Sequence, residues 1–135
     1  MTQLITQDSD NLYTITLTIT EEGLAILNAL ESFVCKEFKI TKDDFKSEAR
    51  YMPLPRARGA FTSILRAEFD FPLKMIGLYL GGRDHSTILM AEQRAKEFYA
   101  KNQRYSQAYD TVEKNFQKFL AEIGKPGLIR NAEKN

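Results

Sequence analysis

Residues 72–90 read PLKMIGLYLGGRDHSTILM, and their apolar spacing and paired glycines predict two helices joined by a tight turn. Apolar residues repeat at helical spacing behind Pro72, a residue that favours the first turn of a helix. The pair Gly81-Gly82 then ends that helix, because glycine adopts the left-handed conformation of a helix end at little cost. A longer helix is predicted over about 84–101. A short apolar helix, a glycine turn and a longer helix with a polar first turn match the helix-turn-helix plan.

The rest of the chain predicts an all-α body around this pair of helices. Apolar residues recur at helical spacing, and prolines and glycines mark the ends. The predicted helices cover 21–38, a short stretch from the cap Thr41 to about 47, 56–69, 72–80, 84–101, and a last stretch that Ser106 caps and Gly124 ends. The segment 48–58 carries two prolines and is predicted as a loop. We therefore expect a compact bundle of about six helices.

The N-terminal segment has a different pattern. From residue 12 to residue 20, apolar residues alternate with threonines, which is typical of a half-buried β-strand. Residues 2–6 are its nearest partner, across a turn at 7–11. A two-stranded hairpin is marginal alone, so it must pack on the helices or pair with a second chain as a homodimer. The expected organisation is an extended segment at 1–20, a helical domain at 21–123 and a flexible tail at 124–135.

Composition limits the class of protein. The chain has 135 residues, 43% of them hydrophobic, which suits one globular domain and leaves no room for a second catalytic one. One cysteine and one histidine exclude an internal disulfide and make the usual all-protein zinc site implausible. The chain has no apolar run of membrane-spanning length and an acidic start. We expect a soluble cytoplasmic protein without cofactor or metal.

The charge is unevenly distributed along the chain. The net charge is only +1, which by itself argues mildly against a nucleic-acid partner. Residues 1–34, however, contain five acids and no Lys or Arg, whereas residues 35–66 contain eight bases and four acids. The near-neutral total therefore hides a basic middle of the chain.

The polar first turn of the second helix in the pair carries the chemistry. Arg83, Asp84, His85, Ser86 and Thr87 would project beyond the core toward base edges and phosphates. Free N–H groups and the positive end of the helix dipole also suit a phosphate there. An Asp-His-Ser catalytic triad is excluded, since successive helical residues point about 100° apart and cannot hydrogen-bond in series. We expect no enzyme activity.

The same residues carry a more specific resemblance. The run IGLYLGGRDHSTILMA, residues 76–91, resembles the signature I-G-x-x-F-G-G-R-D-H-T-T-V-L-H-A of domain IV, the C-terminal DNA-binding domain of the bacterial replication initiator DnaA. VCKEFKI at 34–40 resembles that family's V-A-E-Y-Y-K-I, and RAR at 56–58 resembles its R-P-R loop. The resemblance covers roughly residues 25–122. It implies a helix-turn-helix bundle of the Trp-repressor and DnaA domain IV type.

The resemblance implies binding of duplex DNA at a nine-base-pair element, the DnaA box. Asp84, His85 and Ser86 match positions at which the family reads the major groove, and Thr87 lies beside them, suited to a base or phosphate. The chemistry agrees, since Asp can accept from the cytosine amino group and His and Ser can donate or accept at a base edge. Arg83 precedes this run in the matched signature.

Other matched positions imply contacts away from the major groove. Arg56 matches the loop that reaches the adjacent minor groove, and Arg58 lies next to it. Arg66 stands where the family has a phosphate-contacting lysine, and Leu73 where an apolar residue packs against DNA. Lys74, where the family often has proline, completes the set of expected DNA-binding residues. Arginine suits narrow minor grooves and phosphates.

The sequence also departs from the family. Ser86 replaces a threonine, and Met90 replaces a common histidine and is expected to be exposed without a base contact. The chain contains no GxxxxGK[ST] phosphate loop, so no nucleotide is expected. The sequence predicts a stand-alone domain that binds double-stranded DNA in replication control or transcription regulation, encoded by a bacterium, phage or mobile element. A helical protein-interaction module that retains the fold is the alternative, and a piece of a longer DNA-acting enzyme is a third reading.

Overall fold

The computed structural model describes residues 2–8 and 13–124. Six helices lie in these ranges: α1 (Glu21–Phe38), α2 (Lys42–Lys46), α3 (Leu54–Glu68), α4 (Leu73–Tyr79), α5 (His85–Lys101) and α6 (Gln103–Ile123). The predicted helical bundle is confirmed. Of the predicted tail, only Gly124 lies within the described residues. None of the helices in the described part is both long and apolar enough to cross a membrane.

Two strands precede the bundle. β1 (Thr2–Asp8) pairs antiparallel with β2 (Tyr13–Ile19), with Thr2 opposite Ile19. β1 contacts α4, and Ile19 is buried in the hydrophobic core. The Thr20 hydroxyl then accepts the Gly23 N–H at 2.9 Å and caps α1. The segment therefore packs on the helices of its own chain. Residues 9–11 of the predicted turn lie outside the described residues.

The core lies between α1, α3, α4 and α6. Phe61 of α3 is fully buried, with its ring centroid 5.5 Å from that of Phe45 and 5.8 Å from that of Tyr79. The Tyr79 hydroxyl donates to the buried Glu31 at 2.9 Å, and Lys46 lies 3.4 Å from the same carboxylate. This polar group ties α4, the first helix of the predicted pair, to both α1 and α2.

Helices α3 and α5 cross at close range. A Cβ atom placed on Gly59 of α3 would lie 2.7 Å from the Ala91 carbonyl oxygen and 3.0 Å from the Ala95 Cβ. Only a residue without a side chain lets the two backbones approach in this way. The position of α5 is therefore set by its packing on α3.

The turn between α4 and α5 has the geometry that its glycines predict. Gly81 and Gly82 have φ values of +96° and +85°. The Gly77 carbonyl accepts the N–H groups of Gly82 at 2.9 Å and Arg83 at 2.8 Å, and these bonds close the end of α4. The expected helix-turn-helix is thus formed by residues 73–101.

Three local predictions are wrong. Helix α3 begins at Leu54 with Pro55 in its first turn, so that Arg56 and Arg58 are helical and do not lie on a loop. Helix α6 begins earlier than predicted, because the Asn102 side chain rather than Ser106 caps it by accepting the Tyr105 N–H at 2.8 Å. The helical spacing of residues 84–101 also predicts that Tyr99 faces inward, whereas Tyr99 is exposed and its hydroxyl donates to Asp110.

Candidate nucleic-acid interface

The first turn of α5 is exposed and polar. Asp84 is the N-terminal cap residue but makes no side-chain capping bond. Its carboxylate instead accepts the Ser86 hydroxyl at 2.5 Å and lies 3.2 Å from His85 Nδ1. Donation from Ser86 lowers the pKa of Asp84, so the group is a charged, acceptor-only carboxylate at neutral pH. Thr87 is exposed beside it, and the N–H groups of this turn have no side-chain cap.

A groove of about 470 Å³ lies beside this turn, between α5 and the start of α3. Its charged lining residues are all arginines: Arg50, Arg56, Arg58, Arg83 and Arg94. The face that α5 presents to it includes Thr87, Met90, Ala91 and Arg94, at the spacing of one helical stripe. A groove whose charged residues are all positive and which also has an apolar strip favours a polyanion with apolar parts.

Arg56 is held at the wall of the groove. Its guanidinium carbon lies 3.4 Å from the centroid of the Phe98 ring, a cation–π contact. The Tyr105 hydroxyl donates to the Arg56 carbonyl at 3.0 Å, and the Tyr105 ring packs edge-on against Phe98. The expected minor-groove arginine is therefore positioned by α5 and α6.

Arg58 lies inside the protein. Only 4% of the residue is exposed, and its guanidinium donates to four backbone carbonyls. The acceptors are Phe45 at 2.8 Å, Ala49 at 2.8 Å, Asp44 at 2.9 Å and Ser47 at 3.0 Å. Burial lowers the pKa of Arg58 to about 10. These bonds occupy the guanidinium that was expected to accompany Arg56 at the DNA.

Arg83 is half-buried, and its guanidinium points toward the backbone that follows α2. It donates to the Ser47 carbonyl at 2.6 Å and to the Leu80 carbonyl. Burial lowers its pKa, as it does for Arg58. Arg83 therefore connects the glycine turn to the chain that follows α2.

Three other expected residues lie away from the groove. Arg66 donates to Glu92 at 2.5 Å, and its side chain is 33% exposed. Leu73 is partly buried and packs against the core, whereas Lys74 is exposed at the start of α4. The structure thus brings Arg56, Arg58, Arg83 and Thr87 to one groove, which these three do not line.

The groove contains residues that the sequence did not single out. Arg50 and Arg94 are exposed, and neither side chain has an ion pair or hydrogen bond among the described residues. Met52 and Met90 are 60% and 48% exposed. Arg94 stands seven residues after Thr87, so helical spacing could have indicated it. No sequence signal places Arg50, because its position depends on the path of the chain between α2 and α3.

The sequence comparison agrees with this geometry. The family model of the bacterial DnaA protein helix-turn-helix matches residues 27–94. The chain belongs to this DnaA helix-turn-helix family. The match begins in α1 and ends in α5, so it contains the glycine turn, the polar first turn and all five arginines of the groove.

Individual relatives of the DnaA family cover the same part. The chromosomal replication initiator protein DnaA of Gloeobacter violaceus is 35% identical over 69 residues, which are 51% of this chain and 16% of that protein. That of Chlorobaculum tepidum is 37% identical over 65 residues, 48% of this chain and 13% of that protein. That of Corynebacterium jeikeium is 31% identical over 85 residues, 63% of this chain and 14% of that protein. The matched region is thus less than one sixth of each of these relatives.

Proposed function

We propose that the chain binds double-stranded DNA with sequence specificity through its helix-turn-helix, as a stand-alone domain similar to DnaA domain IV. The observation that carries the proposal is the groove beside the first turn of α5, whose charged lining residues are all arginines. Duplex DNA presents a regular array of phosphates to such a surface. Membership of the DnaA helix-turn-helix family supports the same partner.

The first turn of α5 reads bases in the major groove. Asp84 is charged and acceptor-only, so it selects the cytosine amino group. His85, Ser86 and Thr87 are exposed next to it and supply donors and acceptors to neighbouring bases. The N–H groups of this turn bind a phosphate of the same groove.

The remaining contacts position the domain on the duplex. Arg56, whose guanidinium stacks on the Phe98 ring, enters the adjacent minor groove. Arg66 and Lys74 bind phosphates, and Leu73 packs against the sugar-phosphate backbone. We leave Arg58 out of the DNA-contacting set, since its guanidinium is committed to four carbonyls inside the protein.

The biological setting follows from the relatives. The matched proteins are named chromosomal replication initiator proteins, so we propose a role in replication control, with regulation of transcription as the second setting. The proposal covers the DNA-reading step only. It does not include pairing of two chains through the N-terminal strand, because β1 contacts α4 of its own chain.

Fluorescence anisotropy with a random duplex pool, followed by sequencing of the bound fraction, tests the proposal. We expect salt-dependent binding and a recoverable motif. His85→Ala should change the preferred base at one position and lower affinity for the wild-type motif about tenfold, because a base-edge contact is worth roughly 1–3 kcal/mol. Asn115→Ala, an exposed change on α6, should leave both the motif and the affinity unchanged.

Failure of the intact chain to bind any duplex at low salt would contradict the proposal. Binding without a recoverable motif would contradict its sequence-specific part. If DNA binding fails, the alternative is a protein-interaction module in which the arginine groove serves an acidic partner.

A further inference from the structure

We propose that Arg58 and Arg83 act together as a carbonyl clamp that orients the segment 48–53 and presents Arg50 to a DNA phosphate. The carbonyl clamp consists of these two guanidiniums and the backbone carbonyls between residues 44 and 49 that they bind. Arg83 is then a positioning residue, which acts on DNA through Arg50. This inference rests on the proposed DNA binding.

Both arginines of the carbonyl clamp bind the same atom. The Ser47 carbonyl oxygen accepts from Arg58 at 3.0 Å and from Arg83 at 2.6 Å. Arg58 comes from α3, whereas Arg83 comes from the turn before α5. One carbonyl thus joins the two helices of the interface to the segment that leaves α2.

The end of α2 explains why two cations gather there. The last carbonyls of a helix lack intrahelical partners and carry the negative end of its dipole. Helix α2 ends at Lys46, and Arg58 binds the carbonyls of Asp44 and Phe45 in its last turn. The planar fork of arginine reaches several acceptors at once, which a lysine ammonium on a flexible stem does not.

The glycine turn packs directly on this helix end. A Cβ atom on Gly81 would overlap the Lys46 carbonyl, so the turn and the end of α2 touch through their backbones. Displacement of residues 46–49 would have to break this contact, the Arg83 bond to the Ser47 carbonyl or the Arg58 bond to the Ala49 carbonyl. The start of the segment 48–53 is therefore fixed relative to the turn before α5.

Arg50 is the charged group that this arrangement leaves available. It is exposed and has no ion pair or hydrogen bond within the described residues. Arg50, Arg58 and Arg83 line one groove. Burial first, and then repulsion by Arg83 and Arg50, lowers the pKa of Arg58, whereas Glu48 partly offsets this repulsion at Arg83. A phosphate relieves this repulsion, which favours an anion at Arg50.

A double-mutant cycle in the intact chain tests the carbonyl clamp. Using the motif recovered from the duplex pool, we expect Arg50→Gln to lower affinity about tenfold and to reduce the slope of log K against log salt by about one. In an Arg83→Lys background, Arg50→Gln should lower DNA affinity less than twofold, because the segment no longer holds residue 50 near the phosphate. Arg94→Gln is the matched control, since Arg94 lines the same groove from α5, and it should cost the same in both backgrounds.

Hydrogen exchange supplies a readout that is independent of DNA. The amides of Ser47 and Ala49, which donate to the Asp44 carbonyl and to the Ser47 hydroxyl, should exchange faster in Arg83→Lys, while those of α1 and α6 keep their protection. If Arg83→Lys fails to fold, as judged by circular dichroism, Arg58→Lys replaces it in the cycle as the other half of the carbonyl clamp.

The outcomes separate the two proposals. If wild-type protein binds but Arg50→Gln costs tenfold in both backgrounds, Arg83 does not position Arg50 and the carbonyl clamp proposal is overturned. Unchanged exchange at Ser47 and Ala49 overturns it as well. If wild-type protein binds no duplex, the proposed function fails first, and the role of Arg50 fails with it.

Discussion

Replacing Gly77 by alanine should lower the free energy of unfolding by about 3 kcal/mol and abolish DNA binding. A Cβ atom at this position would overlap the Arg83 carbonyl oxygen, which is backbone and cannot rotate away. The Gly77 carbonyl also holds the N–H groups of Gly82 and Arg83. Relief of the overlap must therefore open the turn that sets α5 against α4. Urea unfolding and fluorescence anisotropy measure the two effects.

Gly124→Ala is the matched control for this prediction. Gly124 has φ of +86°, yet no described atom lies within 4 Å of a Cβ placed there. Backbone strain alone should lower the free energy of unfolding of this variant by about 1 kcal/mol, and DNA binding should persist. An equal loss of stability in the two variants would show that steric overlap at the helix-turn-helix is not the cause.

Replacing Arg58 by methionine should cost about 3–5 kcal/mol of unfolding free energy. Methionine fills much of the volume but leaves the Phe45 and Ala49 carbonyls without their donor. The Asp44 and Ser47 carbonyls lose one donor each and keep their bonds from Ser47 and Arg83. Chemical denaturation measures the loss. Arg94→Met, at an exposed position of the same groove, should change stability by less than about 0.5 kcal/mol.

A stable Arg58→Met variant with weakened DNA binding would reverse this assignment. It would mean that Arg58 acts at the DNA, as the family resemblance implied, and that its bonds to the carbonyls are dispensable. The free energy of unfolding of Arg58→Lys should lie between those of the wild type and Arg58→Met, because one ammonium retains the charge but cannot reach all four acceptors.

The helices could be predicted because their signals are local. Apolar spacing located α1 and α5, and two consecutive glycines located the turn between α4 and α5. The start of α3 was placed too late because both prolines were interpreted as helix breakers. Pro55 stands in the first turn, where a missing N–H costs nothing.

The roles of the arginines could not be predicted in the same way. Arg56 and Arg58 are two residues apart, so on a helix their side chains point about 200° apart. One therefore faces Phe98 at the groove while the other enters the protein beneath α2. Which of the two arginines turns inward depends on the carbonyls at the end of α2. The contact between Arg58 and Asp44 joins residues that are 14 positions apart in the chain, so local sequence does not indicate it.

Asn102 ends α5 and also caps α6, so a single residue joins the second helix of the helix-turn-helix to the last helix of the bundle. The connection between α5 and α6 therefore contains no further residue that could absorb an insertion. One inserted residue would rotate α6 by about 100° relative to α5 and withdraw Val112, Phe116 and Leu120 from the core. An insertion at residue 102 should therefore destabilise the bundle, although Asn102 itself is only partly buried.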